Sequence, residues 1–253
     1  MKRTLLLLPA LALGAVTASG QILYLQPFDN ETNQLRVEEA GIGWQRATHT
    51  GVDFGQAGRL SDSKGVDGVP GLAYSFGGSN NSTLMWNGGV NFTQSQVTGL
   101  SAMVFHGNAS NELRFLIRID DDGTDRWYAS AIGGKASTIG AAGAFETEAE
   151  LFQLSFATTA WVPVLNADET GPFAGGALTA TTESDTFTRL GVGDLTANAV
   201  VLPDGNITAV GAYLAVVGSA TRFDDFTVIP EPSTYAALLG LLALGLVAWR
   251  RRK

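Results

Sequence analysis

The chain has 253 residues, with 16 basic and 24 acidic side chains and no cysteine. Setting aside residues 1–20 and 230–253 leaves Gln21–Ile229, whose ten basic and 23 acidic residues give a net charge of about −13. That balance excludes nucleic acid as a partner, because phosphate contact needs clustered Lys and Arg. The absence of thiols excludes thiol catalysis and thiolate metal sites, and a body of this length buries enough apolar surface without disulfides.

In chain order, Lys2-Arg3, the apolar stretch Leu5–Val16 and Ala18-Ser19-Gly20 have the layout of an export signal. The mature chain is expected to begin near Gln21. Phe28-Asp29 is expected to follow a first strand. Strands are expected at 71–76, 97–106, 112–119, 126–131, 151–156, 161–165, 207–216 and 222–228, with a short helical turn within 141–151. The clearest is 112–119, where Leu113, Phe115, Ile117 and Ile119 alternate with Glu112, Arg114 and Arg118 as in a half-buried strand. Asp120–Asp125 reads as a long acidic loop returning into Arg126–Ala131. Many short strands punctuated by Gly and Asn predict an all-β fold, a two-sheet antiparallel sandwich spanning 21–229.

The last residues break from this pattern. Pro230-Glu231-Pro232-Ser233 leads into an apolar run, Tyr235–Trp249, and then Arg250-Arg251-Arg252-Lys253. The two prolines hold the motif extended and outside the helix. The apolar run spans about 22 Å as a helix, short of the ~30 Å hydrocarbon core. Trp249 and the basic cluster extend its reach by snorkelling, and the positive charge orients the end toward the cytoplasm. A single transmembrane helix is therefore expected, with Pro230, Glu231 and Pro232 displayed just outside the bilayer.

This tail resembles the PEP-CTERM sorting domain of Gram-negative bacteria, on Val228-Ile229-Pro230-Glu231-Pro232-Ser233, the apolar stretch with Gly240 and Gly245, and the terminal basic residues. The resemblance implies processing by an exosortase-type membrane enzyme. It also implies an inner-membrane anchored precursor that is then delivered to the cell surface or the extracellular matrix. A second resemblance concerns the body. Gly205–Gly211 followed by Arg222-Phe223-Asp224-Asp225-Phe226-Thr227-Val228 looks like the closing strand of jelly-roll, concanavalin A-like modules. In those modules the first and last strands often pair and nearby acids hold a structural calcium. That makes Asp29, with Asp224 or Asp225, the expected ligands.

Two other site classes were weighed against plain packing. Trp44 and Trp86, with Trp127 and Trp161, offer sugar-stacking faces, while sandwich cores also need large aromatics. For catalysis, His49 and His106 are the sole histidines, and no nucleophile elbow, zinc motif or phosphate loop appears. Glu146-Thr147-Glu148-Ala149-Glu150 lacks the carboxylate spacing of jelly-roll glycanases, so no catalytic residue is expected. The function expected is an exported surface or matrix protein that binds or organises exopolysaccharide. The alternative is a secreted glycan-active enzyme on the same fold.

Overall fold

In the computed structural model, residues 22–29, 35–48, 56–65, 67–76, 81–134, 145–164, 187, 189–216 and 218–231 are described. Ile22–Glu231 is one compact unit. The expected export-signal helix, the C-terminal apolar run, Pro232 and the cluster Arg250–Lys253 lie outside the described residues, as does His49. No helix among the described residues is long and apolar enough to cross a membrane.

The strands in order are β1 (Tyr24–Gln26), β2 (Trp44–Thr48), β3 (Gln56–Lys64), β4 (Pro70–Phe76), β5 (Asn81–Asn87), β6 (Phe92–Thr93), β7 (Val97–His106), β8 (Glu112–Asp121), β9 (Thr124–Ser130), β10 (Glu150–Ser155), β11 (Trp161–Val164), β12 (Asn206–Val216) and β13 (Ala220–Pro230). One sheet runs β10-β7-β13-β4-β3, with β1 also on β13. The other runs β11-β9-β8-β12-β5-β2, with β6 also on β12. Every pairing is antiparallel. The chain crosses between sheets repeatedly, at β4–β5, β7–β8, β9–β10 and β12–β13 among others. This is the expected two-sheet sandwich in a jelly-roll arrangement.

The inter-sheet core follows from period-two alternation. Leu113, Phe115, Ile117 and Ile119 of β8 meet Leu100, Ala102 and Val104 of β7 and Phe223, Phe226 and Val228 of β13. The expected half-exposed face of β8 is instead buried. Glu112, Arg114 and Leu116 are covered too, because Leu116 joins a second apolar cluster with Leu84, Trp86, Trp127, Tyr213 and Phe187 on the far side of the sheet. The β8–β9 connection is not a long loop. Strand pairing continues to Asp121↔Thr124, leaving a two-residue turn of Asp122 and Gly123, both at positive φ (50° and 83°). Two consecutive left-handed residues match the strands' right-handed twist, which a longer acidic loop would not need to do.

Candidate functional site

The two ends of the compact unit meet. β1 pairs with β13 in the register Tyr24↔Val228, Leu25↔Thr227 and Gln26↔Phe226. Phe28 and Phe226 are fully buried, and Phe28 packs edge-on against Trp44 and Phe223 at 4.7 and 5.1 Å. Phe28 has φ +56°. A left-handed residue with a bulky side chain costs about 1–2 kcal/mol. Burying the ring returns roughly 1.5–3 kcal/mol, so the core can hold it there.

That turn and a bulge in β13 gather carboxylates. β13 pairs Asp224 with Met103 but Thr227 with Ser101, so one extra residue is accommodated between them, and Asp225 takes φ +51°. Asp224 is buried, and its Oδ1 accepts the Asp225 N–H at 2.8 Å. Burial pushes its carboxyl up to about 8, with Asp225, Asp67 and Asp29 adding to the rise. Burial likewise raises Asp225, helped by Asp67 and Asp29, and raises Asp29, helped by Asp67. Asp67 went unnoticed in the sequence. It sits in the tight turn between β3 and β4, where its Oδ1 accepts the Val69 N–H. Gly65 of the same turn lies under Asp224, and a Cβ there would fall 2.1 Å from Asp224 Oδ2.

Asp29, Asp224 and Asp225 thus share a neighbourhood with Asp67. Calcium needs several oxygens converging on one point. Among the described residues no three acidic or histidine side chains do so. The arrangement is a seam of crowded charge, with Asp224 buried at its centre.

Trp44 and Trp86 do not offer stacking faces, because each is 1% exposed. Trp44 faces the inter-sheet core and donates from Nε1 to the Tyr24 hydroxyl at 2.7 Å. Trp86 lies in β5 and meets Trp127 edge-on at 5.1 Å. The reason is the second apolar cluster, which makes the outer face of this sheet a core as well. One end of that face is polar and partly open. Arg118 lies 5.5 Å over the Trp127 ring, donates from Nε to Thr208 Oγ1 at 2.9 Å and pairs with Asp125 at 3.4 Å. The Thr208 hydroxyl in turn donates to Asp125 Oδ1 at 3.2 Å. Trp127 Nε1 is buried beside this trio without a hydrogen-bond partner.

A buried ion pair holds the other end. Arg114 donates to Glu112 Oε2 at 2.6 Å and to the carbonyls of Ser130, Ala131 and Gly193, while the Gly193 N–H donates to Glu112 Oε1. Burial lowers Arg114 from its ordinary value, and Glu112 is foremost in pulling it back up. The pair clamps residues 191–193 to the sheet.

The sorting residues begin inside the fold. Pro230 is the last residue of β13 and pairs with Val97. The Thr98 hydroxyl donates to the carbonyls of Ile229 and Pro230, at 3.3 and 2.8 Å. The Glu231 N–H donates to Gln96 O at 2.9 Å. Gln96 closes a 3-10 turn, Gln94–Gln96, fixed by its own side chain accepting the Thr93 N–H and by Gln94 donating to the carbonyls of Pro203 and Gly205.

No curated protein matches the chain in sequence. Among solved structures, the CBM22-1 xylan-binding domain of Paenibacillus barcinonensis Xyn10C is similar at a TM-score of 0.41 and 13% identity, over 83% of this chain and 95% of that one. The family 11 carbohydrate-binding module of Lic26A-Cel5E from Clostridium thermocellum is similar at 0.39 and 14%, over 83% and 94%. A family 11 module from the same organism, in complex with a β-1,3-1,4-mixed-linked tetrasaccharide, is similar at 0.36 and 15%, over 75% and 85%. At these scores the likeness says nothing of site or ligand. The sequence match is confined to the tail: residues 228–253 are a PEP-CTERM protein-sorting motif, and so mark the chain as an exported protein.

Proposed function

We propose that the chain is an exported surface or matrix protein whose tail is removed by an exosortase-type membrane enzyme, and whose sandwich is a non-catalytic module for extracellular polysaccharide. The observation that carries this is the sorting motif at 228–253. The precursor is held at the inner membrane by its apolar run, and the mature protein is released to the surface. Support for the sugar comes from the polar corner on β8, β9 and β12. There a guanidinium, a carboxylate and a hydroxyl (Arg118, Asp125, Thr208) stand beside an aromatic pair, the mix of oriented donors and acceptors that a sugar's hydroxyls need.

Mature protein extracted from the cell surface, incubated with the producing cells' own exopolysaccharide, tests both parts. Mass spectrometry should show a chain lacking Tyr235–Lys253, and affinity electrophoresis should show retardation that Arg118→Ala abolishes. An intact tail would overturn the sorting step. Undiminished retardation in Arg118→Ala would remove the polar corner. Release of new reducing ends would make the module an enzyme.

A further inference from the structure

The Pro-Glu-Pro segment of the sorting motif has to be extended and accessible to be read, yet its first two residues, Pro230 and Glu231, are part of the sandwich. Pro230 is paired with Val97, and its carbonyl and that of Ile229 both accept from Thr98 Oγ1. Glu231 is tied through its N–H to Gln96 O, on a turn that is itself anchored to residues 203–205. Only Pro232, Ser233 and Thr234 separate this dock from the apolar run, at most ~11 Å of extended chain. A strand end bound along one edge presents only its other edge to a protease. The short spacer leaves little room for an enzyme to close around residues 230–232 while Pro230 and Glu231 stay docked.

Resting on the reading of 228–253 as a processed segment, we infer that the folded sandwich latches its own sorting motif. The processing enzyme acts on molecules in which Pro230–Glu231 has let go of Gln96–Thr98. The rate of tail removal is then set by the population of molecules frayed at the end of β13, not by enzyme encounter alone. Fraying of a strand end is a low-energy opening, and each docking hydrogen bond raises its cost and so lowers the frayed population. Losing the Thr98 hydroxyl should raise the frayed population roughly two- to tenfold.

The test is a pulse-chase of the full-length precursor in its own cells, reading conversion to the shortened form. Thr98→Val keeps the side chain's shape and removes its donor. A second variant inserts a six-residue Gly/Ser linker between Ile229 and Pro230, which frees Pro230-Glu231-Pro232 from the dock while leaving Thr98 and β13 up to Ile229 unchanged. Both should shorten faster than wild type, Thr98→Val by roughly two- to tenfold and the linker variant by at least as much. Hydrogen exchange on wild-type and Thr98→Val precursor should show earlier labelling of the Glu231 amide in the variant. Unchanged rates in both variants would overturn the latch and leave the sorting reading standing. Slower conversion would also overturn it, since docking would then be presenting the motif. A wild-type chain that is never shortened would overturn the sorting reading and the latch together.

Discussion

The carboxylate seam makes a prediction that can be worked through in numbers. Asp224 has a carboxyl raised to about 8 in the folded protein, chiefly by burial, against the usual carboxylate value of 3.8 in the unfolded chain. A raised value means that the folded state keeps a proton the unfolded state has lost. Between pH 4 and 8, stability should therefore fall by about 1.4 kcal/mol per pH unit from this group alone, and level off above pH 8. From pH 5 to pH 8 the loss amounts to about 4 kcal/mol, a large share of the 5–15 kcal/mol that holds a typical domain. Asp224→Asn keeps the neutral shape at every pH. It should leave stability near wild type at pH 5, exceed wild type at pH 8.5, and remove most of the slope. Urea unfolding of the body followed by tryptophan fluorescence, at half-unit steps from pH 5 to 9, measures this. Equal slopes for wild type and variant would refute the reasoning. Stabilisation by millimolar calcium at pH 8 that Asp224→Asn abolishes would show that a cation, not a proton, neutralises the seam.

Gly65→Ala places a methyl group 2.1 Å from Asp224 Oδ2 and should cost about 1–3 kcal/mol in the same urea assay. Glu112→Ala leaves Arg114 buried without its carboxylate and should cost about 3–5 kcal/mol. The double change Glu112→Gln with Arg114→Met should recover part of that loss, and a double variant no more stable than the single one would deny the ion pair its role. Trp86→Ala should cost about 3–5 kcal/mol of stability, since its ring packs on Trp127 inside an apolar cluster. Polysaccharide affinity, measured at a temperature where the variant is folded, should hold.

What could be read from the sequence was whatever repeats locally. β7 matches its expected bounds, Val97–His106, where buried Leu100, Ala102 and Val104 alternate with partly exposed Ser101 and Met103. The closing strand was legible from Arg222–Val228, and its meeting with the first strand followed from the resemblance to jelly-roll modules. β5 was missed because Leu84, Met85 and Trp86 are buried in succession, one face in each apolar cluster, so no alternation shows. β3 was missed because its sequence, Gln56–Lys64, is mostly small and polar, and two register shifts interrupt its pairing with β4. Arg114 read as a solvent-facing residue on the assumption that one face of β8 meets water. Only the tertiary cover by Gly191 and Gly193 makes it a buried clamp. Asp67 joins the seam through the turn between β3 and β4, and nothing in its own neighbours in the chain announces that.

The place of β13 in its sheet bears on how the molecule is made. The last strand in the sequence is an interior one, with β7 along one side and β4 and β1 along the other. A chain that emerges amino-end first therefore reaches its final residues with a slot open through the middle of the sheet. The cavity that Phe223, Phe226 and Val228 fill is still hollow at that point. Strands β7 and β4 are unpaired edges until Ala220–Pro230 arrives, and such edges invite association with other chains. Closure joins residues just over two hundred positions apart, as in Tyr24 with Val228, which makes the final step slow relative to the hairpins that precede it. A chaperone that shields the emerging chain would have to stay bound until the last strand is delivered.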